Sequence, residues 1–386
     1  MSESTFFVKG QGVVLFKNKE KSIHLVFCDK HKENMLQLVI DDRVTMYNDS
    51  IRYIDPSNVS GVVHLHGAYY WVSMNAQTQQ IYVGVGEPRL ETVIYQYKLT
   101  GQKGFLESLL CIEYDYTTTI LKILKDPITR NIPLVIKNTD DITMTDIASS
   151  SFMPKANLSL ISQKLYDCIS GKKFVLDDAD FPDFTKAIEH SIATPGLWCN
   201  TKLESKSREF NPDKPNIKET YLRITLGENN GESPGIPYVM EIWPSNHFSP
   251  IHSHANASAI IRVLHGSIHV RLYPFLCAEK DGVEPFGTAD FNKNEITWIS
   301  PTLNQTHQLI NKNGKQTCIT IQCYMYENEN NKHYDYFDFL DDEGNKQKYE
   351  PDSDMDFISF KELMRKEWDE HNKTKKIQSW CNYIFG

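Results

Sequence analysis

The chain is predicted to be a mainly β protein in two parts: an N-terminal β-sandwich-like domain, then a C-terminal small β-barrel of jelly-roll type with helices ahead of it. Three observations carry this. Short apolar or alternating runs, parted by turn-prone pieces, recur through residues 1–150, as in sheets with one buried face. Two helical patterns follow, and from Glu219 to Tyr326 the chain reads as strands again. Within that second region, Trp243 to Tyr273 reads as a strand, a tight turn and a returning strand, with His252 and His254 two residues apart.

Composition narrows the class. At 386 residues the chain is long enough for two domains, since one domain typically takes roughly 100–200 residues. The net charge of −9 and pI near 5.8 argue against a nucleic-acid or anionic-membrane surface. No apolar run approaches the ~20 residues of a membrane span. The start, Met1 to Gly12, lacks the basic stretch and apolar core of a secretory signal. Eight scattered cysteines without a CxxC pair suit reduced thiols in a cytosol. The expectation is a cytoplasmic monomer with no nucleic-acid or membrane partner.

In residues 1–150 the strand runs are Gly12–Phe16, Ile23–Phe27, Met35–Ile40 and Ile81–Val85, with turns near Asn48–Ser50 and Asp55–Asn58. His64 and His66 form an HxH pair without a third ligand at a convincing distance, so they read as structural. Tyr69, Tyr70 and Trp71 suit a sandwich core. The role of this domain stays open between binding, targeting and dimerisation. Ser149–Lys155, small and polar around Pro154, reads as a linker. A helix follows from Leu158 to Ser170, with Leu158, Leu160, Ile161, Leu165 and Ile169 near 3.6-residue spacing. Asp180-Phe181-Pro182 opens a second, running to Ile192.

In the second domain, 155–350, Leu222, Ile224 and Leu226 of one strand share a face, and Tyr221, Arg223 and Thr225 share the other. If that second face looks into the barrel, Arg223 offers a planar fork for a carboxylate; otherwise it is a solvated strand arginine. In Cys318–Tyr324, Thr320, Gln322 and Tyr324 likewise share a face. The last part, 351–386, opens with an acidic run, Asp352 to Asp356, read as solvated. A helix follows from Phe360 to His371, docked by Phe360, Leu363 and Trp368.

The chemistry lies in the histidines. Side chains two apart on a strand point to one side of the sheet, so His252 and His254 project together. His307, between later strand-like segments, supplies a third imidazole. Two histidines on one barrel strand and one on a later strand make the facial ligand set of a cupin metal site.

With these residues in place, residues 155–350 resemble the cysteine dioxygenase family, mononuclear non-haem iron thiol oxygenases of the cupin superfamily. The family's motif of a Trp nine residues before an HxH, and a Gly twelve after its second His, falls on Trp243, His252, His254 and Gly266. The resemblance implies His252, His254 and His307 as Fe(II) ligands. It implies Tyr221 and Arg223 as the strand that binds the substrate carboxylate, and Thr320, Gln322 and Tyr324 as the late catalytic strand. Three departures stand out. Ser258 and Ala259 occupy the place of the usual cupin glutamate ligand, as in three-histidine thiol dioxygenases. Ala259 also stands where animal members carry a cysteine cross-linked to the late tyrosine, so Tyr324 is expected to be uncrosslinked. Gln322 replaces a relay histidine and cannot titrate near neutrality. The implied activity is oxidation of L-cysteine by O2 to cysteine sulfinate. The alternatives are dioxygenation of another small thiol, such as a mercaptocarboxylate, a non-catalytic metal- or ligand-binding cupin, and a zinc cupin of hydrolytic or isomerising activity. From the ligands alone zinc, copper, nickel or manganese would also fit.

Overall fold

The structure, a computed structural model, describes residues 1–386 apart from 21, 42, 49–50, 54–66, 102–103, 228–236, 279–282, 327–336 and 386; the side chains of 51–53 and 378–385 are also outside it. His64 and His66 therefore lie outside the described residues. Two compact units emerge: Met1–Ile132 with Tyr273–Gly287, and Pro133–Leu272 with Thr288–Gly386.

The alternating runs of the first unit form a sandwich. A six-stranded sheet orders Ser2–Thr5, Cys111–Tyr114, Ile23–Cys28, Met35–Ile40, Val44–Asn48 and Ile51–Tyr53. A five-stranded sheet orders Thr118–Leu124, Gly12–Asn18, Tyr70–Asn75, Gln80–Val85 and Val93–Lys98. Period two sorts the side chains: Val14 and Phe16 join Leu25, Phe27, Leu38 and Val72 in the main core. Val13 and Leu15, on the opposite face, pack with Trp71 and Ile128. Coverage on both faces explains why Gly12–Phe16 is continuously apolar rather than alternating. Gly84 lies directly opposite Trp71, where a Cβ would sit 2.2 Å from the indole ring, so only glycine fits. Phe275 and Cys277 complete this core from far along the chain.

The chain enters the second unit at Pro133, earlier than the linker expected at Ser149–Lys155. That stretch is ordered instead. Met144–Ser149 is a short helix closed by a capping box between Thr143 and Asp146, and Met153–Pro154 pairs in parallel with Ile136–Lys137.

Two separate six-stranded sheets, rather than one closed barrel, build the second unit. One orders Ile296–Ile299, Ser258–His265, Cys318–Met325, Tyr238–Trp243, Leu222–Leu226 and Met355–Asp356. The other orders Gly287–Asn292, Ser267–Tyr273, Thr306–Ile310, His252–Ser253, Phe337–Leu340 and Lys346–Tyr349. The connection from the first sheet into the second turns at Gly266, whose φ of +70° favours glycine and whose Cβ would lie 2.6 Å from the Thr317 carbonyl.

The two expected helices are Leu160–Ile169, capped by Ser159, and Phe184–Ala193. A third, Trp198–Ser205, was hidden by a weakly amphipathic sequence. The C-terminal helix spans Phe357–Phe385, longer than its apolar pattern suggested. Phe360 is buried against Phe184 and Trp198, and Met364, rather than the half-buried Leu363, is its second anchor. The acidic run preceding the helix is not wholly solvated. Asp354 is 6% exposed and pairs with Lys206 at 3.1 Å, because Met355–Asp356 adds a parallel strand beside Leu222–Leu226.

Candidate metal centre

His252 stands directly opposite His307 across the pairing of His252–Ser253 with Thr306–Ile310. His254 follows two residues on, just before Ala255 and Asn256, whose φ values of 48° and 63° turn the chain. Gln305 fastens this turn to the approach of His307. Its amide nitrogen donates to the carbonyls of Ala257 at 2.8 Å and Ser300 at 2.7 Å, and its oxygen accepts from the Asn256 N–H at 3.2 Å.

Two of the rings are held in one tautomer. His252 Nδ1 lies 3.0 Å from the Pro250 carbonyl, and His307 Nδ1 lies 3.1 Å from that of Asn304. A carbonyl only accepts, so Nδ1 carries the hydrogen and Nε2 keeps its lone pair. Asn304 takes φ of 61° in making that turn, a conformation Asn tolerates better than most residues. His254 Nε2 and His307 Nε2 are 3.2 Å apart, and ligand atoms of all three rings lie within 4.8 Å of one another. The rings are 5%, 4% and 6% exposed. Burial pushes His252 down to about 3, with help from neighbouring His307, His307 down to about 4, and His254 well below its ordinary value. All three are neutral at physiological pH. Converging lone pairs on neutral imidazoles fit a divalent transition metal.

The histidines line a cavity between the inner faces of the two sheets. Its walls are mostly apolar, including Val263, Val270, Leu272, Phe291 and Leu309. Every site residue expected from the sequence reaches it: Tyr221, Arg223, Thr320, Gln322 and Tyr324 line the same cavity as the histidines. Tyr221 stacks on Trp243 with centroids 4.2 Å apart. Tyr324 lies nearly parallel to His254 at 5.9 Å, and burial raises its hydroxyl pKa well above the ordinary range, keeping it a proton donor. Ala259 is its direct cross-strand neighbour, so no sulfur faces the ring from that position. Thr320 Oγ1, Trp243 Nε1 and Trp298 Nε1 are buried without a hydrogen-bond partner among the described residues, so each keeps an unspent hydrogen-bonding capacity.

Glu241 is the residue that pattern reading missed. It sits opposite Arg223 on the next strand and accepts from Arg223 Nη1 at 2.9 Å, with both side chains buried. Burial raises the carboxyl's pKa, opposed chiefly by Arg223. Its signal was a lone carboxylate within Tyr238–Trp243, an otherwise apolar strand. Behind it, Asp354 pins the arginine's backbone, accepting from Arg223 N and donating to Arg223 O, each at 2.8 Å.

The chain matches no family model. Among solved structures, it overlaps the cupin domain of Cnp3 from Schizosaccharomyces pombe at 13% identity, over 28% of this chain and 65% of that one, with a TM-score of 0.22. An oxalate oxidase bound to glycolate overlaps at 18% identity over 30% and 53% of the two chains, TM-score 0.22. The polyketide cyclase RemF from Streptomyces resistomycificus does so at 19% over 23% and 53%, TM-score 0.18. The chain thus spans about half to two thirds of these structures' own length. Overlaps so partial leave the fold to be read from the sheets themselves.

Proposed function

We propose that the second unit is a metal-dependent thiol dioxygenase that converts a small thiol and O2 into a sulfinate and a proton. The observation that carries this reading is the set of three neutral, buried imidazoles, which among the described residues form a metal-competent group without a carboxylate. They share one cavity with Tyr324 and the Arg223–Glu241 pair. Iron(II), held by His252, His254 and His307, would supply the redox chemistry and the acidity that turns a thiol into a thiolate.

The chain's own residues account for the rest. Apolar walls exclude water, which strengthens each polar contact inside. Tyr324 stays protonated and donates a hydrogen bond toward the reacting sulfur and oxygen atoms. Thr320, whose hydroxyl has no partner among the described residues, offers a second polar contact. Gln322 orients groups without taking up a proton, because an amide does not titrate.

Gln322 also favours a second reading, a binding module without turnover. One experiment tests both. After reconstitution with iron(II), the protein is expected to hold one metal per chain and to consume O2 when small thiols are added. Full metal content without uptake on any small thiol would contradict the enzyme reading and favour the binding module.

A further inference from the structure

Arg223 is expected from the family resemblance to receive a substrate carboxylate. The structure supplies a partner within the cavity wall, and this changes the substrate chemistry. Arg223 and Glu241 lie side by side on adjacent strands, and both line the cavity. They are 3% and 4% exposed and joined at 2.9 Å. The other titratable side chains facing the cavity are the neutral histidines and the tyrosines Tyr221 and Tyr324. This part of the cavity wall is therefore electrically balanced rather than cationic.

We infer that Glu241 is a specificity-determining residue, which turns the pocket toward a small aminothiol lacking a carboxylate. The inference rests on the thiol reading above. Relative to any neutral residue at this position, an ionised carboxylate attracts a ligand ammonium and repels a ligand carboxylate; in a buried pocket neither effect is screened away. The metal charge acts on the thiolate of every such ligand alike, so the distal group decides between them. A primary amine has an ordinary pKa near that of lysine, roughly 10, so it reaches the pocket as ammonium. There Glu241 accepts its hydrogen bond alongside Arg223. A mercaptocarboxylate would instead place a second carboxylate against one already occupying the guanidinium.

The test uses the full-length protein loaded with zinc, which binds thiols without consuming O2. Calorimetric titration at pH 7 with 2-aminoethanethiol and with 3-mercaptopropionate gives an affinity ratio. The wild type is expected to favour the aminothiol, and Glu241→Gln to shift the ratio toward the mercaptocarboxylate by about tenfold or more. Because that variant strands a buried arginine, the charge-free double variant Arg223→Met with Glu241→Met is measured beside it, with zinc content as the fold control. It is expected to lose the aminothiol preference. A wild type that prefers the mercaptocarboxylate, or a ratio unmoved in both variants, overturns the role of Glu241 and leaves the thiol site standing. Failure of both thiols to bind the zinc-loaded wild type overturns the thiol site itself, and this inference with it.

Discussion

His252 and His307 face each other from adjacent strands with their Nδ1 hydrogens spent on carbonyls, so removing either ring removes a preset lone pair. His252→Ala is expected to lower bound metal from one per chain to near none, read by elemental analysis after dialysis. The same burial makes the metal-free protein acid-sensitive. The native values near 3 and 4 for His252 and His307 lie below the ordinary 6.5, so on acidification the unfolded chain takes up the protons. Stability is therefore complete above pH 6.5 and lost as the pH falls from there toward 3. Between pH 7 and 5.5 the loss is about 1 kcal/mol for each histidine, visible as a lower urea midpoint; an unchanged midpoint would show that these rings titrate normally. At this scale the histidines were legible because side chains two apart in an extended chain share a face, although the strand itself ends at Ser253. Glu241 was not. Alternation gives the face a side chain takes, but not whether that face meets water or a second sheet.

The C-terminal helix shows what periodicity does and does not decide. Phe360, buried against Phe184 and Trp198, was evident as an anchor, whereas Met364 beside Cys199, with sulfurs 3.9 Å apart, was not. Leu363 and Met364 are adjacent, and only the docked azimuth of the helix tells which turns inward. Phe360→Ala is expected to cost about 3–5 kcal/mol, measured as a shift in the denaturant midpoint. A shift under about 1 kcal/mol would show that the helix is not docked through this ring. The turn at Gly266 was legible outright, since His265-Gly266 parts an apolar run from an alternating one and the positive φ favours glycine; that the two strands belong to different sheets was not.

Across the whole molecule, long-range pairing is what local pattern leaves out. Tyr273–Gly287 follows the histidine strands in sequence yet belongs to the N-terminal unit, where Phe275 is 4% exposed within the core. No composition shift marks that return. The N-terminal boundary moved from 150 to 132 for a similar reason: the pairing of Ile136–Lys137 with Met153–Pro154 joins two short stretches with no alternation of their own. Phe275→Ala is therefore expected to speed amide exchange in Gly12–Asn18 and Tyr70–Asn75, more than a hundred residues away in sequence. Unchanged exchange there would contradict its place in that core. The mainly β character and the sandwich, by contrast, were legible from the short apolar and alternating runs parted by turn-prone pieces.

The central claim, a three-histidine metal site that adds dioxygen to a thiol, is tested most directly by isotopically labelled O2. The iron(II)-reconstituted protein is incubated with a small thiol under the label, beside a His252→Ala control, and the product is weighed by mass spectrometry. The account predicts a sulfinate carrying both labelled oxygen atoms from the wild type and none from the control. Sulfinate with oxygen drawn from water, or equal product from both proteins, would contradict it.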